Sequence, residues 1–331
     1  MTTSERLFSS ADAFAHPVTR FALYIIGGLL IVAPLLTLIL RRVRVVDAVL
    51  TREILVRTTS WLGIVVLVIG PILLGGFWAM LVIFLIAMGS YLEYARITGL
   101  FREQAVSWSV LIGIALVFFA VLDHWYGLFT ALMPLGAAAI AAIALLGDKP
   151  KGYVQRLALG VLGFMIFGVC LGHLAYFANS GYYRPLLILI LLAVSINDVF
   201  AFTCGKLFGR RKLCPSISPN KTIGGALGAL LLTPLFLCLI AWPFINDIPG
   251  LDWHHILIGG VILSLCGQLG DLMLSAIKRD IGIKDTGTVI PGHGGLLDRV
   301  DSVLLAAPAS FHFIGYLFGV GLDQSTHILT G

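Results

Sequence analysis

Charged residues are scarce in this chain. Only 12% of its 331 residues are Asp, Glu, Lys or Arg, and 59% are hydrophobic. A water-soluble domain has about 25% charged residues, and no soluble core of this length could absorb so many apolar side chains. The composition therefore excludes a soluble enzyme and predicts an all-α, polytopic integral membrane protein in a lipid bilayer.

Cysteines, repeats and targeting signals are also lacking. The five cysteines are odd in number and have no metal-ligand spacing, so they are interpreted as small buried hydrophobic residues. There is no internal repeat. Residues 1–19 are polar and the first positive cluster follows the first apolar run, which is unlike a cleavable signal. Nothing in the charge pattern points to nucleic acid, and none is expected as a partner.

The apolar runs predict ten membrane spans, because a span needs about 20 apolar residues. The long run from 59 to 95 is divided at Gly70–Pro71 and Gly75–Gly76, where a helix is expected to break. The predicted spans are residues 20–40, 59–75, 76–95, 107–122, 128–147, 155–178, 184–203, 222–246, 255–276 and 302–321.

The basic residues predict the orientation. Nineteen of the 22 Lys and Arg residues fall in the loops after spans one, three, five, seven and nine, and the exceptions are Arg6, Arg20 and Arg184. The positive-inside rule places these loops in the cytoplasm and both termini outside, in a membrane of the bacterial inner type. We expect residues 1–180 to form a scaffold with lipid or dimer contacts and residues 181–331 to form the catalytic region.

The densest charge lies in the stretch 275–301, where the ninth span ends and the last begins. Asp271, Ser275 and Lys278 are spaced to share one helix face, so Lys278 is expected to neutralise part of the half-buried Asp271 charge. Asp298 and Asp301 share a face at the start of the last span. Two carboxylates at one helix start repel each other more than capping requires, which favours a divalent cation between them.

Simpler readings of these residues stay open. Asp298 and Asp301 could cap the helix with a salt bridge to Arg299, and Lys278 and Arg279 could be positive-inside anchors. His293 could be a loop histidine without a role. These readings do not explain why acids and bases should cluster at one membrane depth.

A second polar region covers residues 195–225. Asp198 lies near the inner end of an apolar helix, and Ser218, Lys221 and Thr222 precede another helix, where an anion binds well. The run from Arg210 to Lys212 could contact phosphates, but attraction to the membrane surface explains it equally well.

At these residues the chain resembles the phosphatidate cytidylyltransferases, also called CDP-diacylglycerol synthases. The run S-x-x-K-R-x4-K-D-x-G-x3-P-G-H-G-G-x2-D-R-x-D from Ser275 to Asp301 is similar to their signature, and S-P-x-K-T from Ser218 and D-x2-A-F-x2-G-x3-G from Asp198 are two more hallmarks. The likeness covers about residues 195–302. The chain departs from the family pattern at one position, where Gly224 replaces the usual acidic or amide residue.

The resemblance implies that CTP and phosphatidate give CDP-diacylglycerol and pyrophosphate at a site facing the cytoplasm. Asp271, Asp298 and Asp301 are then expected to bind Mg²⁺, and a second cation such as K⁺ is left open. Asp198 is expected to orient a cation or a lysine. The catalytic set is completed by Lys278, and the expected substrate contacts are Ser218, Lys221, Thr222, Ser275, Arg279, Lys284, His293, Gly294, Gly295 and Arg299.

Three alternatives remain at this stage. A CTP-dependent polyprenol kinase would transfer the γ-phosphate and release CDP. An ion-coupled transporter would relay cations through Asp198 and Asp271. An inactive regulatory paralogue would bind nucleotide or lipid without turnover, and Gly224 is the feature that favours it.

Overall fold

The computed structural model describes residues 3–43, 47–243, 250–287, 294–319 and 327–330, with backbone alone at 50, 53 and 57. These residues form twelve α-helices and one short hairpin. The helices are α1 (Thr3–Phe8), α2 (Pro17–Arg42), α3 (Ala48–Leu74), α4 (Gly76–Ile97), α5 (Gln104–Leu122), α6 (Tyr126–Leu145), α7 (Tyr153–Gly163), α8 (Leu171–Tyr176), α9 (Tyr183–Phe208), α10 (Ile223–Ala241), α11 (Trp253–Asp280) and α12 (Leu297–Phe318). The antiparallel strands are β1 (Lys212–Cys214) and β2 (Ser218–Thr222).

Ten helices in the described part of the chain are long and apolar enough to cross a membrane. The predicted all-α class and span number are therefore confirmed. The sixth span is a single rod in which a π-helical segment, Phe164–Cys170, joins α7 to α8, and a 3₁₀ turn, Phe177–Asn179, completes it. The last span begins at Leu297, five residues before the prediction, so Asp298 and Asp301 belong to it.

The predicted break in the run 59–95 is half right. The chain breaks at Gly75, which has φ 154°, and a β-carbon there would overlap the backbone of Leu7. It does not break at Gly70, because α3 continues through Pro71 to Leu74. A proline interrupts one hydrogen bond of a membrane helix, which its neighbours can compensate, whereas the extended, positive-φ backbone at Gly75 ends the helix outright.

Glycines allow the helices to pack closely. The ring of Phe164 is fully buried in the π-helical segment. It lies where a β-carbon on Gly113 of α5 would come within 3.0 Å and one on Gly136 of α6 within 2.5 Å of the ring. Small residues at such crossings are typical of membrane helix packing, in which van der Waals contact supplies much of the association energy.

The two termini meet at one end of the molecule. The Arg6 guanidinium donates to the Asn179 carbonyl oxygen at 2.5 Å, and the Asn179 side chain donates to the Val121 carbonyl oxygen at 2.7 Å. The C-terminal residues 327–330 dock on the adjoining α5–α6 loop through Asp123. This arrangement matches the predicted alternation, and the assignment of this end to the outside stays a prediction.

Asp123 holds the C-terminal residues by its carboxylate. The carboxylate is fully buried and accepts from the Leu329 N–H at 2.5 Å, the Thr330 N–H at 3.1 Å and the Thr330 hydroxyl at 2.6 Å. Burial raises the pKa of Asp123, but these hydrogen bonds outweigh burial and leave the pKa below its ordinary value. The docked tail is therefore stabilised by the ionised form.

Replacing Asp123 with Asn should release residues 327–330 at neutral pH, because hydrogen bonds to a charged group contribute about 1.5–3 kcal/mol. In the unmodified protein the pKa is lowered, so the stabilisation is complete above the ordinary value of about 4 and is lost as pH falls through the native value. Hydrogen exchange of the tail amides measures both effects. Asp12→Asn, an exposed change at the same end, should alter neither, and an unchanged tail in Asp123→Asn would contradict the role.

Candidate active site

One face of α11 carries the predicted polar stripe. The Ser275 hydroxyl donates to Asp271 Oδ1 at 3.2 Å, which confirms that residues four apart meet on this face. The expected partnership of Asp271 with Lys278 is wrong. Asp271 Oδ2 lies 2.6 Å from Lys221 Nζ, and Lys278 Nζ lies 2.7 Å from Asp298 Oδ1. A lysine seven residues along the same helix is about 10 Å away by helical rise, so partners from other elements are closer.

The hairpin brings Lys221 to this face. Strands β1 and β2 pair Lys212 with Thr222 and Cys214 with Ser218, so β2 ends directly at the start of α10. The Thr222 hydroxyl oxygen accepts from the Gly225 N–H at 3.1 Å and caps α10. Arg279 fixes the hairpin to α11, because its Nε donates to the Ile217 carbonyl oxygen at 3.2 Å.

Asp298 is the most enclosed acid of the site, with only 8% of its surface exposed. Its Oδ1 accepts from Lys278, and its Oδ2 accepts from the Thr286 N–H, the Thr286 hydroxyl and the Gly295 N–H at 3.0, 2.9 and 3.0 Å. A β-carbon on Gly294, which has φ 80°, would lie 2.7 Å from the same oxygen. Asp298 therefore joins the start of α12 to Lys278 and to the residues around 286.

Three further carboxylates converge beside this pair. Asp198, Asp271 and Asp301 come from α9, α11 and α12 and lie close enough for their charges to repel one another. Asp198 is exposed and the other two are half-buried. Ser302 joins two of these helices, since its hydroxyl donates to Asp198 Oδ2 at 3.2 Å and its N–H donates to Asp301 Oδ1 at 2.8 Å.

Glycine contacts set the distance between α11 and α12 at the acids. A β-carbon on Gly270 would overlap the carbonyl oxygen of Asp301, so the two backbones touch beside Asp271. One turn away, a β-carbon on Gly267 would lie 3.5 Å from the Ser302 carbonyl oxygen, which is an ordinary contact. Gly270 is therefore the point of closest approach that allows the carboxylates to converge.

A buried asparagine holds α9, the helix that carries Asp198, against α10 and α11. Asn197 is fully buried on α9, and its Oδ1 accepts from the hydroxyls of Thr233 on α10 and Ser264 on α11 at 3.1 and 2.5 Å. Gln268 extends this network, donating to the Ala226 carbonyl oxygen at 3.3 Å. Hydrogen bonds between membrane helices contribute about 0.6 kcal/mol each on average, and these fix the position of the adjacent Asp198.

The remaining predicted contacts divide into placed and unplaced residues. Arg279 is occupied by backbone oxygens, since its second contact is to the Ile283 carbonyl oxygen at 3.0 Å. Lys284 is exposed, Arg299 is half-buried and interacts with Asp198, and Gly295 is buried against Glu93. His293 lies outside the described residues.

Gly224 has a steric explanation. A β-carbon there would lie 2.9 Å from the Phe208 carbonyl oxygen and 3.2 Å from the Gly209 α-carbon, both backbone atoms. An acid or amide at this position would require the end of α9 to move away from α10. The close crossing of α9 and α10 therefore requires glycine at 224, and this leaves the position without its usual polar side chain.

Sequence reasoning missed Glu93. This residue lies on α4, outside the region of resemblance at 195–302, and its carboxylate accepts from the Leu296 and Leu297 N–H groups at 3.0 and 2.9 Å. It is the single acid of a mostly apolar span, whose other charged residue is Arg96. An ionisable residue in such a span is by itself a signal of a functional site, and it could have been found on that ground.

Comparisons with known proteins identify the family of the chain. The profile described as "Cytidylyltransferase family" matches residues 55–317. The chain is 34% identical to "Uncharacterized protein YnbB" of Escherichia coli (strain K12), over 80% of this chain and 88% of that protein. It is 33% identical to a phosphatidate cytidylyltransferase of Bacillus subtilis (strain 168), over 68% of this chain and 85% of that enzyme.

The similarity is stronger over a shorter region. A phosphatidate cytidylyltransferase of Staphylococcus aureus (strain COL) is 47% identical over 35% of this chain and 44% of its own length. These matches, with the ten membrane helices, make the protein a CTP-using transferase of the bacterial multi-pass type. The profile covers well over half of the sequence, and the chain belongs to the Cytidylyltransferase family of membrane nucleotidyltransferases.

Proposed function

We propose that the protein transfers CMP from CTP to phosphatidate, releasing pyrophosphate and forming CDP-diacylglycerol. The observation that carries this proposal is the meeting of four carboxylates and two lysines, from α9, α11, α12 and β2, at one end of the membrane helices. Phosphatidate cannot leave the bilayer easily, since each buried CH₂ of its chains contributes about 0.8 kcal/mol. CTP is soluble, so a site at the membrane boundary serves both substrates.

The donor set fits a magnesium ion. Asp198, Asp271 and Asp301 supply hard oxygen ligands, and among the described residues Lys221 is the lysine that pairs directly with one of them. The three converging carboxylates carry more negative charge than Lys221 and Arg299 together balance, and a divalent cation would remove the excess. Mg²⁺ would be held by Asp271 and Asp301, oriented by Asp198, and when bound it supplies charge neutralisation at the triphosphate.

The lysines of the site suit the two anionic substrates. Lys221 and Lys278 are each held by a carboxylate, and each ammonium keeps two further N–H donors for phosphate oxygens. Asp298 Oδ1 would join Asp271 and Asp301 in holding the ion if Lys278 exchanged that oxygen for a substrate phosphate. Arg299, beside Asp198, would supply positive charge to balance the negative charge that develops on the leaving pyrophosphate.

The reaction needs little covalent chemistry from the protein. A phosphatidate oxygen forms a bond to the α-phosphorus of CTP as the bond from that phosphorus to the β-phosphate oxygen breaks. Pyrophosphate takes the electron pair. The acceptor phosphate is itself a nucleophile, so no covalent enzyme intermediate is required, and a dianionic phosphate needs no general base. The residues contribute positioning and charge stabilisation.

A labelling experiment tests the reaction. The purified protein in vesicles that contain phosphatidate is given Mg²⁺ and CTP labelled on either the α- or the γ-phosphate. We expect the α-label to enter the lipid and pyrophosphate to appear in equal amount, with loss of both when EDTA is added. A γ-label in lipid with release of CDP would show a lipid kinase, and cation uptake without CTP turnover would show a transporter.

A further inference from the structure

Glu93 caps a helix to which it does not belong. It is half-buried on α4, and its two carboxylate oxygens accept separately from the Leu296 and Leu297 N–H groups at the start of α12. The Thr286 hydroxyl approaches the same carboxylate at 3.4 Å. The contact joins the N-terminal half of the chain to the helix that carries Asp298, Arg299 and Asp301.

The start of α12 requires such a partner. The first N–H groups of any helix have no acceptor within the helix, and the N-cap residue here is Leu296, whose side chain cannot accept a hydrogen bond. A carboxylate satisfies two of these groups, and its negative charge is favoured at the positive end of the helix dipole. Glu93 therefore replaces the cap that the local sequence does not provide.

Two neighbouring glycines leave the space that this contact occupies. A β-carbon on Gly295 would lie 2.6 Å from Glu93 Oε2, and one on Gly89, a turn earlier on α4, would lie 2.7 Å from the Leu296 side chain. From the other side, Asp298 Oδ2 accepts from the Gly295 N–H. Two carboxylates, one on α4 and one on α12, thus fix the same turn.

We infer that Glu93 is a positioning residue: it holds the first turn of α12 so that Asp301 stays beside Asp271 of α11. Gly270 allows the α11 and α12 backbones to touch beside these acids, and Glu93 fixes α12 from the α4 side. Without the Glu93 hydrogen bonds, the Gly270 contact alone would let the first turn of α12 shift. A displacement of about 1 Å at a reacting centre lowers turnover by about 10²-fold. The catalytic part of this inference depends on the proposed function, whereas the capping part does not.

The test compares Glu93→Gln and Glu93→Ala with Glu103→Gln. Glu103 precedes α5 at the same membrane end and faces Arg156 at 3.9 Å, so it controls for loss of one acid there. Hydrogen exchange is measured at the amides of residues 296–299, with the Thr222-capped start of α10 as an internal reference. We expect exchange at 296–299 to rise at least about tenfold in Glu93→Ala and less in Glu93→Gln, which keeps one acceptor oxygen.

Turnover is measured on the same variants. We expect kcat to fall about tenfold or more with a smaller change in KM for CTP, and the Mg²⁺ concentration for half-maximal rate to rise. Unchanged exchange in Glu93→Ala would overturn the cap, and faster exchange with wild-type kcat and Mg²⁺ dependence would overturn the positioning role. If the unmodified protein does not form CDP-lipid, the proposed function fails, and the exchange result still decides whether Glu93 caps α12.

Discussion

Asp301→Asn should reduce turnover at least about 100-fold without unfolding the protein, because several kcal/mol of charge stabilisation are lost with a metal ligand. The asparagine keeps the shape of the side chain and its contact to Ser302. It removes one of the three charges that repel one another at the site. The free protein should therefore be as stable as before, or more stable.

Two measurements separate this result from simple damage. Thermal unfolding without Mg²⁺ should occur at the same or a higher temperature in Asp301→Asn, and the stabilisation that Mg²⁺ gives to the unmodified protein should shrink. Asp280→Asn is the matched control, since Asp280 is an exposed acid at the end of α11. Full turnover in Asp301→Asn would remove the residue from the metal site.

Gly270→Ala should have the second large effect. The added methyl group would overlap the Asp301 carbonyl oxygen, a backbone atom that can move only if α12 moves relative to α11. Overpacking of this kind costs about 1–3 kcal/mol of stability, and separating Asp271 from Asp301 by about 1 Å lowers turnover by about 10²-fold. We expect both losses in one variant.

Gly267→Ala provides the comparison on the same helix face. Its β-carbon would lie 3.5 Å from the Ser302 carbonyl oxygen, which is a normal contact, so activity and unfolding temperature should stay near those of the unmodified protein. Steady-state rates and thermal unfolding in detergent measure both variants. Equal effects from the two alanines would contradict the claim that Gly270 is the point of closest approach.

The motif residues show how far sequence reasoning reached. The charges of α11 and α12 were expected at one membrane depth because they interrupt apolar helices, and they do lie together. Their pairing was not foreseen, since Lys278 contacts Asp298 and Lys221 reaches Asp271 from the hairpin. Spacing along one helix gives the face of a residue but not the side chains that other elements bring to that face.

Glu93 and Gly270 have roles that depend on contacts with a helix other than their own. Gly270 is an ordinary residue type within an apolar span, whereas the charge of Glu93 marks a candidate site, but the role of each comes from the helix packed against it. The predicted division into residues 1–180 and 181–331 stays a prediction, but the Glu93 contact shows that the first part directly fixes the start of α12.

The amino-acid sequence by itself determined the membrane class, the ten spans and the end at which the charges gather, because hydropathy and charge act along the chain and are read locally. The tertiary structure alone decided which acids face one another, which lysine each one holds, and that an acid of α4 caps α12. These contacts join residues up to 204 positions apart. They depend on how closely glycine lets the helices approach, which no local pattern encodes.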